Sequence, residues 1–455
     1  MAFVFDWMQV GWISEVSEGG KKAMARDYQS CRAVDPGGGV PRASRGVLSQ
    51  PGRQRLRWSV PTPLSPIRTP AIPILDLSRE YRAIGPALRE AVEAVLSHQR
   101  FVLGEEVALF ERAAAARCGT AYAVGCASGT DALWLAMAAT GIGPGDAFVT
   151  TPFSFFATVS SILRAGARPV LADIDPESFN LSPGAVEACL ASGSPCPIRA
   201  ILAVHLFGQT ADWDSFTALQ EKYRGKASGL VLIEDAAQAF GACWDTRPAG
   251  GLGEAAAFSF YPTKNLAAGG DAGMVTTSAE PAAGRLRMLR THGMRRRYYH
   301  EEVGWNSRMD TIQAAMLLVK LRFIDEWNEQ RRRLAGEYRR LFERAGVAEP
   351  GPYPDHGVVL PKTHAKATHV FNQFTIRVRR RDALKAFLAQ NGVASEIYYP
   401  LPLHLQPALE SLGYGEGSFP ESERAAREVL SLPIFPQLTL EEQEVVVARI
   451  SDFLS

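Results

Sequence analysis

Val231–Ala242 reads V-L-I-E-D-A-A-Q-A-F-G-A, and the apolar run Leu230–Ile233 breaks there into the acid pair Glu234–Asp235. A run so short, without polar alternation, suits a strand buried on both faces, and an acid where it stops stands at the strand's carboxyl end. Outward from it the same unit recurs. Apolar β-rich runs fall at Ala121–Val124, Ala147–Thr151, Arg168–Ala172, Ala200–Val204, Ala255–Phe260 and Ala272–Thr276, alternating with helical patterns. This alternation predicts an α/β fold, a mostly parallel sheet flanked by helices. Ligands of such sheets collect in loops at the carboxyl ends of the strands.

Before the sheet, Pro86–Leu96 and Val107–Arg117 read as helices, and long helical patterns follow near Asp310–Phe342. Beyond them, Phe371–Val378 and Val393–Tyr399 read as strands, and Arg381–Gln390, Glu421–Leu430 and Leu440–Leu454 as helices. We expect a large domain over residues 71–340 and a smaller α+β domain over 341–455. Residues 1–70 differ. Their arginines (Arg26, Arg32, Arg42, Arg45, Arg53, Arg55, Arg57, Arg68) face almost no acid, and Pro61, Pro63, Pro66 and Pro70 crowd the end. Such a composition buries too little apolar surface to offset its ordering entropy, so we expect a disordered extension. Gly37–Gly39 follow no strand and are not read as a phosphate loop. The first residues lack a basic n-region and contain Asp6, against a secretory signal.

The formal net charge of the 455 residues is +1, which argues for neither nucleic acid nor an anionic membrane as partner. No apolar run approaches the ~20 residues of a membrane span. The cysteines, Cys31, Cys118, Cys126, Cys189, Cys196 and Cys243, form no C-x-x-C pair, and no histidine cluster has zinc spacing. We expect reduced thiols, no metal and a cytoplasmic protein.

Four segments carry chemistry. In F-S-F-Y-P-T-K-N-L (Phe258–Leu266), Lys264 stands just past a strand end, and the Gly-rich A-A-G-G-D-A-G (Ala267–Gly273) follows. A lysine there is ordinarily a solvated surface residue; glycines that let a ligand approach the backbone change that prospect. Asp235 is ordinarily a cap or loop ligand, but at a strand end it suits a protonated pyridine nitrogen, the pairing that makes pyridoxal phosphate an electron sink. Gln238 can reach the same ligand. C-A-S-G-T-D-A-L (Cys126–Leu133) follows a strand and opens a helix, whose free N–H groups suit an anion; simple capping by Ser128 or Thr130 is the plainer alternative. T-P-F-S-F-F-A-T (Thr151–Thr158) offers aromatics for core packing or for stacking on a flat ring.

In these motifs and in their order, the chain resembles the DegT/DnrJ/EryC1/StrS family of nucleotide-sugar aminotransferases, from about Ile74 to the C-terminus. The resemblance implies a fold-type-I pyridoxal-phosphate enzyme, a homodimer with shared active sites. It implies Lys264 at the Schiff-base position of S-x-x-x-x-K, Asp235 on the pyridinium nitrogen, Gln238 on the ring hydroxyl and Phe155 stacked on the ring. Gly129, Thr130 and Ser259 would hold the phosphate. V-G-W-N-S-R-M-D (Val303–Asp310) matches the family's G-x-N-x-R block, with Asn306 reaching the phosphate in the neighbouring subunit and Arg308 a substrate candidate. Y-Y-P-L-P-L-H-L-Q-P-A-L (Tyr398–Leu409) would line the sugar end, with Tyr399 and His404 as substrate contacts; a packed aromatic and a satisfied core histidine are the alternatives. This block, with H-G-M-R-R-R-Y-Y-H (His292–His300), looks closer to members acting on 3-keto than on 4-keto sugars.

The implied substrates are a UDP- or dTDP-linked keto sugar and an amino donor, L-glutamate. Two alternatives stand beside this reading. A sugar dehydratase on the same scaffold carries histidine at the Schiff-base position, where this chain has Lys264. A non-catalytic regulator would tolerate degenerate motifs, and none is degenerate. A Rossmann dehydrogenase would need G-x-G-x-x-G after an early strand, which is absent.

Overall fold

The computed structural model describes residues 72–225 and 229–455. The expectations for residues 1–70, Gly37–Gly39 included, lie outside the described residues.

Seven strands form the main sheet: β1 (Tyr122–Cys126), β2 (Ala147–Thr150), β3 (Arg168–Leu171), β4 (Ile198–Val204), β5 (Val231–Asp235), β6 (Ala255–Ser259) and β7 (Gly273–Thr277). Their order is β1-β7-β6-β5-β4-β2-β3. Neighbours are parallel except at β7, which runs antiparallel to both β1 and β6. The runs are apolar without alternation because both faces are covered. Successive residues enter opposite cores: Leu202 and Ile233 pack with Leu133 and Phe148, whereas Ile201 and Leu232 pack with Trp213 and Phe216. The sheet is the mostly parallel, helix-flanked one expected, and each strand lies within two residues of its predicted bounds.

Around it lie α1 (Leu77–His98), α2 (Glu105–Arg117), α3 (Gly129–Ala139), α4 (Ala157–Arg164), α5 (Pro183–Ser192), α6 (Trp213–Tyr223) and α7 (Glu280–Leu289). The α1 helix begins well before Pro86, because Asp76 accepts the Ser78 N–H as N-cap and Pro86 sits on the exposed face. The pattern near Asp310–Phe342 resolves into two helices, α8 (Thr311–Leu321) and α9 (Ile324–Arg344).

A second sheet, β8 (Ala348–Glu349), β9 (Val358–Val359), β10 (Phe374–Arg377) and β11 (Val429–Leu432), follows in that order. Over it pack α9, α10 (Arg381–Gln390) and α12 (Leu440–Leu454), sharing a core that includes Tyr338, Phe374, Leu384 and Val446. Between them in the chain, α11 (Pro420–Glu428) leads into β11. Val393–Tyr399 is not the strand expected. It touches backbone partners singly, Val393 with Ile72 and Glu396 with Ser431, and then its tyrosines turn toward the main sheet's loops. Its apolar residues reflect anchoring at those points rather than a ladder.

No helix among the described residues is long and apolar enough to cross a membrane. Their five cysteines are free; Cys118 and Cys126 are buried, and Cys189, Cys196 and Cys243 are half-buried. The described residues contain no group of three or more His, Cys, Asp or Glu side chains suited to a metal ion.

Candidate active site

Asp235 ends β5 with only 4% of its surface exposed. Burial pushes its carboxyl above the ordinary value; a hydrogen bond from Thr158, the Ala237 N–H and the nearby charge of Lys264 act the other way. Thr158 Oγ1 donates to Oδ2 at 2.8 Å, and the Ala237 N–H reaches Oδ1 at 3.3 Å. Lys264 lies beyond the adjacent β6, on a turn closed by its own N–H to the Tyr261 carbonyl at 2.8 Å. Burial lowers its amine to about 8, with Asp235 as the opposing charge. The structure thus brings together a buried acid and a lysine whose ammonium is only weakly favoured.

The phosphate candidates also converge. The reversed strand β7 puts Gly273 between Cys126 of β1 and Ser259 of β6. A Cβ on Gly273 would lie 2.2 Å from the Ser128 carbonyl oxygen, and one on Gly129 would lie 2.5 Å from Ser259 Cβ. Only glycine permits these approaches. Ser128 does cap α3, its Oγ accepting the Asp131 N–H at 3.1 Å. That leaves the Gly129 and Thr130 N–H groups at the helix mouth without helical acceptors, so capping does not use up the donors an anion would need. A cradle closed to any Cβ, a buried acid and a lysine with a lowered pKa fit pyridoxal phosphate.

Phe155 lies just before α4, half its surface exposed, and tilts against Tyr399 with ring centroids 6.3 Å apart. Gln238 is buried. Its Oε1 accepts the Phe207 N–H at 2.6 Å, and its Nε2 donates to the Tyr399 hydroxyl at 3.3 Å. Burial pushes the Tyr399 phenol up.

Three candidates stand apart. Asn306 is exposed, and Arg308 is half-buried with no hydrogen-bond partner among the described residues. Between them Ser307 is buried and donates to Asp131 Oδ2 at 2.8 Å, which ties the segment to α3. His404 is buried and pairs with Glu423 through Nε2 at 3.0 Å, edge-on to Phe419. The Nε2 contact is that of a core histidine, while Nδ1 is buried with no hydrogen-bond partner among the described residues.

Sequence reasoning missed several polar residues behind the site. Glu234, fully buried, accepts the N–H groups of Gly250, Leu252 and Gly253 at 2.7–2.9 Å and faces His205 Nε2 at 3.0 Å. The Ala211 N–H donates to His205 Nδ1, so the ring proton belongs on Nε2 and points at Glu234. Arg290 pairs with buried Glu111 and also donates to the Gly125 carbonyl at 2.7 Å, beside the cradle. Thr158 and Ser154 belong to the same hidden set. Only the position of Glu234 next to Asp235 gave any signal.

Residues 83–451 match the family described as the DegT/DnrJ/EryC1/StrS aminotransferase family. A pleiotropic regulatory protein of Geobacillus stearothermophilus is 47% identical over 382 residues, 84% of this chain and 98% of the relative. A dTDP-3-amino-3,4,6-trideoxy-alpha-D-glucose transaminase of Streptomyces venezuelae is 41% identical over 81% of this chain and 93% of its own length. A UDP-N-acetyl-3-dehydro-alpha-D-glucosamine 3-aminotransferase of Acidithiobacillus ferrooxidans is 39% identical over 84% of this chain and 96% of its own. Among solved structures, S. venezuelae DesV in complex with a ketimine intermediate superposes with a TM-score of 0.78 at 40% identity, covering 85% of this chain and 99% of that one.

Proposed function

The chain belongs to the DegT/DnrJ/EryC1/StrS aminotransferase family, and from that premise we propose that it transfers the amino group of L-glutamate to a 3-keto sugar carried on a UDP or dTDP nucleotide. It is an aminotransferase, and the family implies pyridoxal phosphate as cofactor. One observation carries the reading: Lys264, its amine lowered to about 8, lies close enough to the buried acid Asp235 for their charges to interact.

When bound, pyridoxal phosphate supplies an electron sink for the amino group's carbon. Lys264 would hold the cofactor through its amine. Nζ would also be the base placed to move the proton of the donor's α-carbon. Asp235 would hold the proton on the ring nitrogen. Gln238 would meet the ring hydroxyl, Phe155 the ring face, and Gly129, Thr130 and Ser259 the phosphate. Tyr399, in contact with Phe155 and Gln238, suits the sugar end, and Arg308 an anionic part of the substrate. His404, paired with Glu423, would act on the sugar only by fixing the Leu403–Leu405 turn, which rests on Pro152 through the Leu403 N–H.

We also read the enzyme as a cytoplasmic homodimer with shared sites. The alternation of exposed Asn306, buried Ser307, half-buried Arg308 and buried Met309 supports it, because Ser307 docks on the chain's own α3 while its neighbours face away. The 3-keto preference draws on the Tyr398–Leu409 block and on relatives named for 3-amino products. The name of the Geobacillus relative favours a regulator instead; purified protein that took up no pyridoxal phosphate would support that.

The test is incubation with glutamate and a panel of 3-keto and 4-keto nucleotide sugars, scored by mass spectrometry. A 3-amino sugar is expected, with Lys264→Ala inactive and without the cofactor's visible absorbance. Product from 4-keto sugars alone would overturn the substrate reading, and an active Lys264→Ala the catalytic one.

A further inference from the structure

We propose that Thr158, oriented by Ser154, is the positioning residue that holds Asp235 ionised and aims it at the cofactor's ring nitrogen. The inference rests on the reading of Asp235 given above.

With Asp235 ionised, the geometry sets the direction of both hydroxyl protons. Thr158 is fully buried and Ser154 nearly so. Ser154 Oγ and Thr158 Oγ1 lie 2.8 Å apart, as do Thr158 Oγ1 and Asp235 Oδ2. An ionised carboxylate only accepts, so the single Thr158 proton points at Asp235. Ser154 must then donate to Thr158, whose oxygen is left with nothing but lone pairs for it. The relay Ser154 to Thr158 to Asp235 is self-consistent with a charged carboxylate, and polarisation along it strengthens the last bond. An acid protonated on Oδ2 would have to reverse or break it. Desolvation alone drives Asp235 toward the neutral form, which cannot hold a pyridinium proton. Thr158 opposes that drive.

The same contact orients the carboxylate. Oδ2 is occupied by Thr158, and Oδ1 has only the long contact from the Ala237 N–H at 3.3 Å. Oδ1 is therefore the oxygen left to accept a ring N–H. The Thr158 N–H also donates to the Phe155 carbonyl at 3.1 Å. One helical turn thus carries both the ring-stacking candidate and the holder of the acid, so a shift of either moves the other.

The experiment compares Thr158→Val, which keeps the shape and removes the hydroxyl, with Thr158→Ser, which restores it. Purified full-length apoprotein is titrated with pyridoxal phosphate, and nitrogen NMR of isotope-labelled cofactor reads the protonation of the ring. Thr158→Val should weaken cofactor binding roughly ten- to a hundredfold, the range for a hydrogen bond to a charged group, and shift the ring-nitrogen signal toward the unprotonated form. kcat should fall with KM little changed, and Thr158→Ser should recover most of each loss. In an Asp235→Asn background, Thr158→Val should add nothing. A folded Thr158→Val protein with wild-type affinity and an unchanged nitrogen signal would overturn the proposal, provided Asp235→Asn loses both. Wild-type behaviour of Asp235→Asn would instead overturn the role given to Asp235 itself.

Discussion

With the Lys264 amine near 8 instead of 10.5, roughly three-hundredfold more of it is unprotonated at neutral pH than for a solvated lysine. Capture of the cofactor's aldehyde needs the free amine, and the free fraction rises with pH. The capture rate of apoprotein should therefore climb through a midpoint near 8, followed by stopped-flow absorbance. A midpoint near that of an ordinary lysine would show that the amine is not desolvated. At Gly129 the constraint is steric. Gly129→Ala places a methyl 2.5 Å from Ser259 Cβ, closer than any real contact, so α3 or β6 must shift. Pyridoxal phosphate affinity should fall at least roughly tenfold, about 1.4 kcal/mol, in a fluorescence titration. Lys264, Asp235 and Gly129 were legible because each stands where an apolar run stops. Thr158 was not, since it lies 77 residues from Asp235 and reads as one more polar residue in a helix. Neither was His205, whose ring is defined by the Ala211 N–H and Glu234.

Elements show the same contrast. The seven strands were legible since burial on both faces leaves unbroken apolar runs, and β7 looked like the others because reversal changes no residue type. Val393–Tyr399 misled because isolated anchoring and a full ladder both select apolar residues. Elements are also clamped by ion pairs of unequal worth. Glu111 on α2 and Arg290 after α7 are both nearly buried, and both hold Gly125 of β1, Glu111 through the N–H at 2.8 Å. Removing one partner strands a buried charge. Glu111→Ala should cost about 3–5 kcal/mol in urea unfolding. By contrast, Arg449→Ala, in the exposed pair with Asp452 on α12, should cost under about 1 kcal/mol. Comparable losses would mean that solvent reaches the Glu111–Arg290 pair.

At the scale of the whole molecule, the shared-site reading makes cofactor retention depend on concentration. Asn306 faces away from its own α3, so a lone subunit would lack one phosphate contact. Dilution monitored together by light scattering and cofactor fluorescence should show occupancy falling as dimers separate. Full occupancy in monomers would remove Asn306 from the site. The overall architecture was readable in advance, because alternating strands and helices admit few arrangements. The second sheet was less so, its first two strands being only two residues each.

The reversed strand has a consequence for how the protein comes to exist. The cradle needs Cys126, Ser259 and Gly273 in one row, and Gly273 is the residue between the other two. During synthesis, strand β1 leaves the ribosome long before its neighbour β7 is made. Until then the edge of β1 lacks its sheet partner, and the cradle proposed for the phosphate would be incomplete. Loading of the cofactor would thereby be tied to completion of the sheet. A truncated or misassembled chain would remain colourless, which makes colour a report on folding as well as on chemistry.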